Sequence, residues 1–363
     1  MTGGENMSSQ STADAGVLPR AGDIDAKAAQ RLEQWLKREV PAHDGPVSIA
    51  RFAGGQSNPT FRLSTAHGDY VLRRKPPGAL LRSAHAIERE YEVMAALGPR
   101  GFPVPRTFGI CLDESVIGSA FYVMELVEGR ILWDPKLPGM APSEQRAIYD
   151  AQIDALAALH RIDPETAGLS DFGKPGNYFA RQVFRWTSQY QASEPADDEH
   201  MQRLMAWLPE TMPPEVPARI VHGDYRIDNM ILKPDRPEIA AVLDWELSTL
   251  GDPIADLTNF LMMWRMPAGE RTALHAVDFD TSGIPTMEEA LDRYLAASGS
   301  VLDRPVDWYI AFNLFRLAAI LQGVAGRAAR GQANNERALA AQSRVGPLAR
   351  AAWESARRAG APA

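Results

Sequence analysis

The chain is short of several residue types, and each shortage removes a class of explanation. Only one of 363 residues is cysteine, Cys111, so no internal disulfide and no thiolate metal cluster can form. No stretch approaches 18 consecutive apolar residues, and the polar start, rich in glycine and serine, lacks the apolar core of a secretory leader. Positive charge is not in excess: the formal net charge is -8, which offers no general field for nucleic acid or an anionic membrane. Lysine is scarce as well. Six lysines (27, 37, 75, 136, 174 and 233) stand among 38 basic residues, so a phosphate-gripping role usually given to lysine has few candidates. The expectation is a cytoplasmic, soluble protein with no nucleic-acid or membrane partner.

What is present reads as globular, with 45% apolar and 23% charged residues. The length predicts two domains or lobes. Residues 1–22 read as a disordered tail. AAQRLEQWLKREV is a short helix with Leu32, Trp35 and Leu36 on one side. Strand patterns follow in VSIARF, FRLS and YVLRR, then a helix over AHAIEREYEVMAAL with Ile87, Tyr91 and Met94 on one stripe. Two more strands follow, and from about residue 129 helical patterns dominate, interrupted by short strands around HGDYRIDN and in IAAVL. The coarse expectation is a mostly-strand lobe over 23–127 with a leading helix, then a mostly helical lobe over 128–363.

The densest polar cluster is HGDYRIDNM at 222–230, followed by the apolar run IAAVL and then Asp244. If the flanking strands pair as a hairpin, the loop and the strand end approach each other. Asn229 and Asp244 would then supply oxygen ligands suited to Mg²⁺, a hard ion that keeps several waters. Asp224 would remain free to orient or deprotonate a hydroxyl. That division of labour is what phosphoryl transfer needs. Arg226 either neutralises charge on the transferred group or pairs with Asp228 or Asp224 and holds the loop.

A nucleotide would belong to the front lobe. FAGGQSNPTFRL sets Gly54 and Gly55 between two strands, where backbone can approach phosphates, with Ser57 and Asn58 as further donors at the turn. In YVLRRK, strand alternation puts Val71, Arg73 and Lys75 on one face. Val71 would touch the base and Arg73 would reach the phosphates. Lys75 competes for that role, but the prolines after it suggest that the strand is ending. Glu90, with Glu88 as the alternative, would hold the cation from the next helix. Glu125 and Val127 in MELVEG stand where backbone groups could meet a purine edge.

In this order, AGGQSN, VLRR, Glu90, MELVEG, HGDYRIDN and LDWE make the chain resemble the aminoglycoside phosphotransferase family of kinase-like enzymes over about 47–330. Within it, the chain looks most like the branch related to the kinase-like domain fused to some acyl-CoA dehydrogenases. The resemblance implies an α+β, bilobal protein-kinase-like fold with a small, mostly-β N-lobe and a larger helical C-lobe. It implies ATP as donor, Asp224 as the catalytic aspartate, and Asn229 and Asp244 as Mg²⁺ ligands. Arg73 matches the place of the usual phosphate-binding lysine and Glu90 its helix partner, while Asp252 and Asp256 match an element supporting the metal loop and the start of the next helix. Arginine at 73 departs from the family pattern, because a planar fork is not interchangeable with an ammonium.

The expected activity is transfer of the γ-phosphoryl group of ATP to a hydroxyl of a small molecule. No peptide-substrate segment is apparent, so no protein substrate is expected, and the chain would act as a monomer or homodimer. Residues 309–363 hold eight arginines against Glu336 and Glu354, which favours an anionic acceptor such as a hydroxyacyl-CoA over a polycationic aminoglycoside. Trp133, Tyr178, Phe179 and Trp186 either line an acceptor pocket or belong to the core. Three alternatives stay open: an inactive, kinase-shaped nucleotide-binding protein, an aminoglycoside O-phosphotransferase, and a metal-dependent phosphohydrolase.

Overall fold

The computed structural model describes residues 10–11, 17–18, 24–41, 43–52, 58–76, 87–174, 176–193, 197–329 and 335–362. The chain forms two compact units that interleave in sequence. One comprises Met1–Trp133, Glu165–Phe172 and Arg226–Ser248; the other comprises Asp134–Pro164, Gly173–Tyr225 and Thr249–Ala363.

The first unit begins with β1 (Gln10–Ser11), β2 (Val17–Leu18), α1 (Ala26–Glu39), β3 (Ser48–Phe52), β4 (Thr60–Thr65) and β5 (Gly68–Arg74). It continues with α2 (Ile87–Leu97), β6 (Thr107–Cys111), β7 (Phe121–Glu125) and β8 (Arg130–Ile131). An antiparallel sheet runs in the order β2-β3-β4-β5-β7-β6. Asp25 starts α1 by accepting a hydrogen bond from the Ala28 N–H at 2.7 Å. Leu32, Trp35 and Leu36 then pack with Phe61, Leu63, Leu72, Phe121 and Val123 of the sheet. Trp35 meets Phe121 edge-to-face, with ring centroids 4.9 Å apart. A Cβ at Gly109 would lie 3.2 Å from the Trp35 ring, so a larger residue there would crowd this packing. Because Leu72 points into this core, alternation sends Val71 and Arg73 to the opposite face of β5.

The second unit holds α3 (Pro142–Arg161), α4 (Tyr178–Ala192), α5 (Glu199–Glu210) and β9 (Arg219–Val221). Between Tyr225 and Arg226 the chain passes back to the first unit, where β10 (Met230–Leu232) and β11 (Ile239–Val242) pair as the anticipated antiparallel hairpin. The second unit resumes with β12 (Thr249–Gly251), α6 (Pro253–Leu261), α7 (Met287–Ser298), α8 (Val306–Ala329) and α9 (Asn335–Arg358). β9 pairs with β12.

Among the described residues, Val306–Arg327 within α8 is the one helix segment long and apolar enough to cross a membrane, and 72% of it is buried in the protein. It forms part of the core. Phe179 of α4 sits 5.1 Å from Trp308 and from Phe312. Phe179 and Trp186 are buried, and Tyr178 and Phe179 also line a pocket of the second unit. The expected α+β architecture, a mostly-β unit and a mostly helical one, is the one observed.

Candidate active site

The first unit gathers its charged residues around one buried carboxylate. β5 and β7 set Arg73 directly across from Tyr122, and Glu90 of α2 meets both. The Arg73 Nε lies 2.9 Å from Glu90 Oε2 and its Nη2 lies 3.0 Å from Asp244 Oδ1. The Tyr122 hydroxyl donates to Glu90 Oε2 at 2.9 Å, and the Asn58 side-chain amide donates to Oε1 at 3.0 Å. Burial pushes Glu90 up to about 7, against the opposing pull of Arg73 and Tyr122. Burial also works against the charge on Arg73, yet Glu90, Tyr122, Asp244 and Glu246 together hold its pKa above the ordinary value. With two hydrogen-bond donors and the Arg73 charge converging on its oxygens, the ionised carboxylate is the state the geometry favours.

The competing pair turns out to be separate. Lys75 bonds Glu88, so each cation on this face has its own acid. Arg73–Glu90 is the buried pair and Lys75–Glu88 the more exposed one. Asn58 is fully buried and directs its amide to Glu90, so that donor is already engaged within the protein. Gly54, Gly55 and Ser57 lie outside the described residues. Val71 is buried. Glu125 ends β7 with its backbone N–H donated to the Arg106 carbonyl at 2.8 Å, and Val127 follows half-buried.

The hairpin register places Asn229 beside Leu243, whose N–H donates to the Asn229 carbonyl at 2.8 Å. Asn229 is thus brought to the strand end that carries Asp244. Asp244 has φ 64°, a left-handed conformation that aspartate tolerates better than most residues and that often marks functional positions. Sequence reasoning missed Glu246. Glu90, Asp244 and Glu246 each offer a carboxylate oxygen, all within 4.8 Å of one another. Hard oxygen donors of this kind suit Mg²⁺. With Glu90 committed to Tyr122, Asn58 and the Arg73 charge, Asp244 and Glu246 are the better candidates. The signal for Glu246 lay in the second carboxylate of LDWE. Arg226 lies 3.4 Å from Asp228, the arrangement expected if it holds the loop.

In the second unit the loop bearing Asp224 is held through its backbone. Asp256 of α6 accepts the N–H of His222 at 2.6 Å and that of Gly223 at 2.8 Å. His160 of α3 touches the same carboxylate at 3.2 Å, and its other ring nitrogen meets Tyr294 at 2.6 Å. Burial alone would raise the pKa of Asp256, but its bond to His160 and the charges and N–H around it hold it below the ordinary carboxylate value. The Asp224 N–H donates to His222 Nδ1 at 3.2 Å, and the Gly223 carbonyl accepts from Arg316 at 2.9 Å. The support expected from the GDPIAD segment is present, but it holds the Asp224 loop. Asp252 caps α6 by accepting from the Ile254 N–H at 2.7 Å.

The family model described as the phosphotransferase enzyme family, APH, matches residues 48–291. The chain belongs to that family. Acyl-CoA dehydrogenase family member 10 of Mus musculus is 43% identical over 335 residues, which cover 91% of this chain and 31% of the mouse protein. The chain spans less than half the length of the curated relatives it matches. A Ralstonia eutropha protein provisionally named an aminoglycoside phosphotransferase has a solved structure with 45% identity and a TM-score of 0.85, covering 91% of this chain and 98% of that one. The fold extends to aminoglycoside phosphotransferase APH(4)-Ia, solved with ADP and hygromycin B, at 15% identity and TM-score 0.55, covering 88% of this chain and 97% of that one. Both the family and the branch that the sequence resembles are borne out.

Proposed function

We propose that this phosphotransferase moves the γ-phosphoryl group of ATP to a hydroxyl of a small anionic acceptor, such as a hydroxyacyl-CoA. The observation that carries the reading is the buried Arg73–Glu90 pair, whose guanidinium also reaches Asp244, in a chain of this family. Glu90 and Tyr122 fix the guanidinium, and Arg73 then holds phosphate oxygens together with Gly54, Gly55 and Ser57. Val71 and the Glu125–Val127 segment receive the base. Asn229, Asp244 and Glu246 would hold Mg²⁺, which neutralises charge on the phosphates when bound. Asp224 orients the acceptor hydroxyl and takes its proton. Asp256 keeps that residue's loop in one conformation, which limits the reorganisation needed at reaction.

Charge beside the loop supports an anionic acceptor. Arg316 grips the carbonyl that precedes Asp224 and lies 5.9 Å from the Trp186 ring centroid; Arg185 lies 4.9 Å from the same centroid. Neither arginine has an acidic partner among the described residues. A polycation would be repelled there. The acyl-CoA dehydrogenase names of the relatives agree with a thioester acceptor.

The test sets wild type beside Asp224→Ala, with ATP, Mg²⁺ and a panel of hydroxylated acyl-CoAs and aminoglycosides. ADP and phosphorylated product are read together. Wild type should give acceptor-dependent ADP with the acyl-CoAs, and the variant should lose at least about 100-fold while still binding ATP. Nucleotide binding without acceptor-dependent ADP in wild type would mark an inactive protein, and phosphate release without acceptor would mark a phosphohydrolase. Either overturns the proposal.

A further inference from the structure

The second unit contains a cavity of about 320 Å³ whose wall includes the end of α3, the edge of β9, the start of α6 and the turn after α7. That volume lies at the lower end of small-molecule sites, roughly 300 Å³ and upward. Arg219 lines it half-buried, and its guanidinium has no partner among the described residues. A guanidinium carries five N–H donors, and those of Arg219 face the cavity without a protein acceptor among the described residues. Arg161 adds a second cation, anchored by one bond to the Ala297 carbonyl at 2.5 Å. Ser298 and Ser300 bring hydroxyls to the same wall.

The acids of the wall do not neutralise Arg219. Asp252 is engaged with the Ile254 N–H as the cap of α6, and Asp303 is exposed at the rim. A half-buried fork without an anion, beside a second cation and two hydroxyls, is suited to phosphate or carboxylate oxygens. The cavity also borders the support of the Asp224 loop. His160 and Asp252 line it; His160 touches Asp256, and Asp252 caps the helix on which Asp256 stands. Asp256 in turn holds the N–H groups of His222 and Gly223.

We propose that this cavity is a second ligand site, taking a small phosphate- or carboxylate-bearing molecule on Arg219 and Arg161, and that its occupation stiffens the loop carrying Asp224. The binding half is independent of the phosphotransfer reading. The ligand presents its anionic group to the two arginines and its hydroxyl groups to Ser298 and Ser300. By filling the space at the start of α6, it restrains the helix that positions Asp256. The coupling is mechanical and local, and needs no movement of one unit against the other.

Calorimetric titration of the full chain with inorganic phosphate, and separately with succinate, distinguishes the two anion chemistries. AMP-PNP and Mg²⁺ are included to fill the nucleotide site, and whether they bind is read independently. Wild type should bind one of the anions, Arg219→Met should weaken it at least about 10-fold, and Arg219→Lys should weaken it less. Since Arg219 lacks a partner, Arg219→Met should melt no lower than wild type without anion. Should that variant fail to fold, Arg161→Met supplies the same comparison. Amide exchange at 222–225 should slow when the anion binds wild type. Failure of both anions to bind, equal binding to wild type and the methionine variants, or unchanged exchange at 222–225 would overturn the proposal.

Discussion

Two buried carboxylates organise the polar clusters of the two units, one in each, and they do so by different means. Glu90 in the first unit collects side chains: Tyr122 and Asn58 donate to it, and the Arg73 guanidinium pairs with it by charge. Asp256 in the second unit collects backbone, accepting from His222 and Gly223, with His160 as its side-chain partner among the described residues. A clamp made of side chains can be rewritten by mutation while keeping its geometry, so an arginine can stand where the family usually has lysine. Backbone N–H groups are present whatever the side chain, and that clamp fixes a conformation instead of a chemical group. The first arrangement therefore tunes a charge, and the second holds a loop.

Removing Asp256 should have the largest effect on stability. Its carboxylate is almost fully enclosed, as is the His160 ring beside it, so Asp256→Ala leaves two N–H groups and a histidine without their acceptor. Breaking a buried charged arrangement on one side costs about 3–5 kcal/mol, and the Asp224 loop should loosen with it. Chemical denaturation together with amide exchange at 222–225 measures both. A loss under about 1 kcal/mol, with the exchange unchanged, would show that the loop does not depend on this clamp.

Glu90→Gln should cost less, because Arg73 keeps Asp244 as a partner. The amide replaces a carboxylate oxygen by an NH₂ group, which sets donor against donor at either Asn58 or the Arg73–Tyr122 pair. The expected loss is about 2 kcal/mol, the scale of hydrogen bonds to a charged group. Nucleotide affinity should fall more than the melting temperature suggests, since the freed guanidinium no longer has one orientation. Equal affinity in the two proteins would show that the pair is a structural strut and does not prepare Arg73 for phosphate.

These carboxylates were legible in the sequence to different degrees. Strand alternation alone put Arg73 opposite Leu72, and the amphipathic stripe of α2 turned Glu90 inward. The short apolar runs around HGDYRIDNM and in IAAVL pointed to paired strands, and β10 and β11 form that hairpin. Asn58 was read as a phosphate donor because a polar residue at a glycine turn looks available; its bond to Glu90, 32 residues away, is a tertiary contact that local pattern cannot express. Arg316 belonged only to an arginine-rich region until folding brought it to the Gly223 carbonyl, 93 residues distant in sequence. The helical course of α9 was hidden by Gly346 and Pro347, ordinary stop signals that here lie inside a helix.

Asp252 offers the smallest and sharpest test, since it lies at the start of the helix that carries Asp256 yet is stabilised in the opposite sense. Burial pushes its carboxyl up from 3.8 to about 6, whereas Asp256 is held low by its partners. Below 3.8 the group is protonated in both folded and unfolded chains and imposes no charge penalty. Between 3.8 and about 6 the unfolded chain ionises first, so stability falls as pH rises, and above about 6 the penalty stays constant. Asparagine keeps a side-chain oxygen for the Ile254 N–H but cannot ionise. Asp252→Asn should therefore match wild type near pH 4 and exceed it by about 1–2 kcal/mol near pH 8, a part of the full shift at 1.36 kcal/mol per pH unit. Urea denaturation across that range reads the difference directly. A constant offset would assign the effect to capping alone, while a variant that weakens as pH rises would mean that the ionised carboxylate contributes to the fold, as at Asp256.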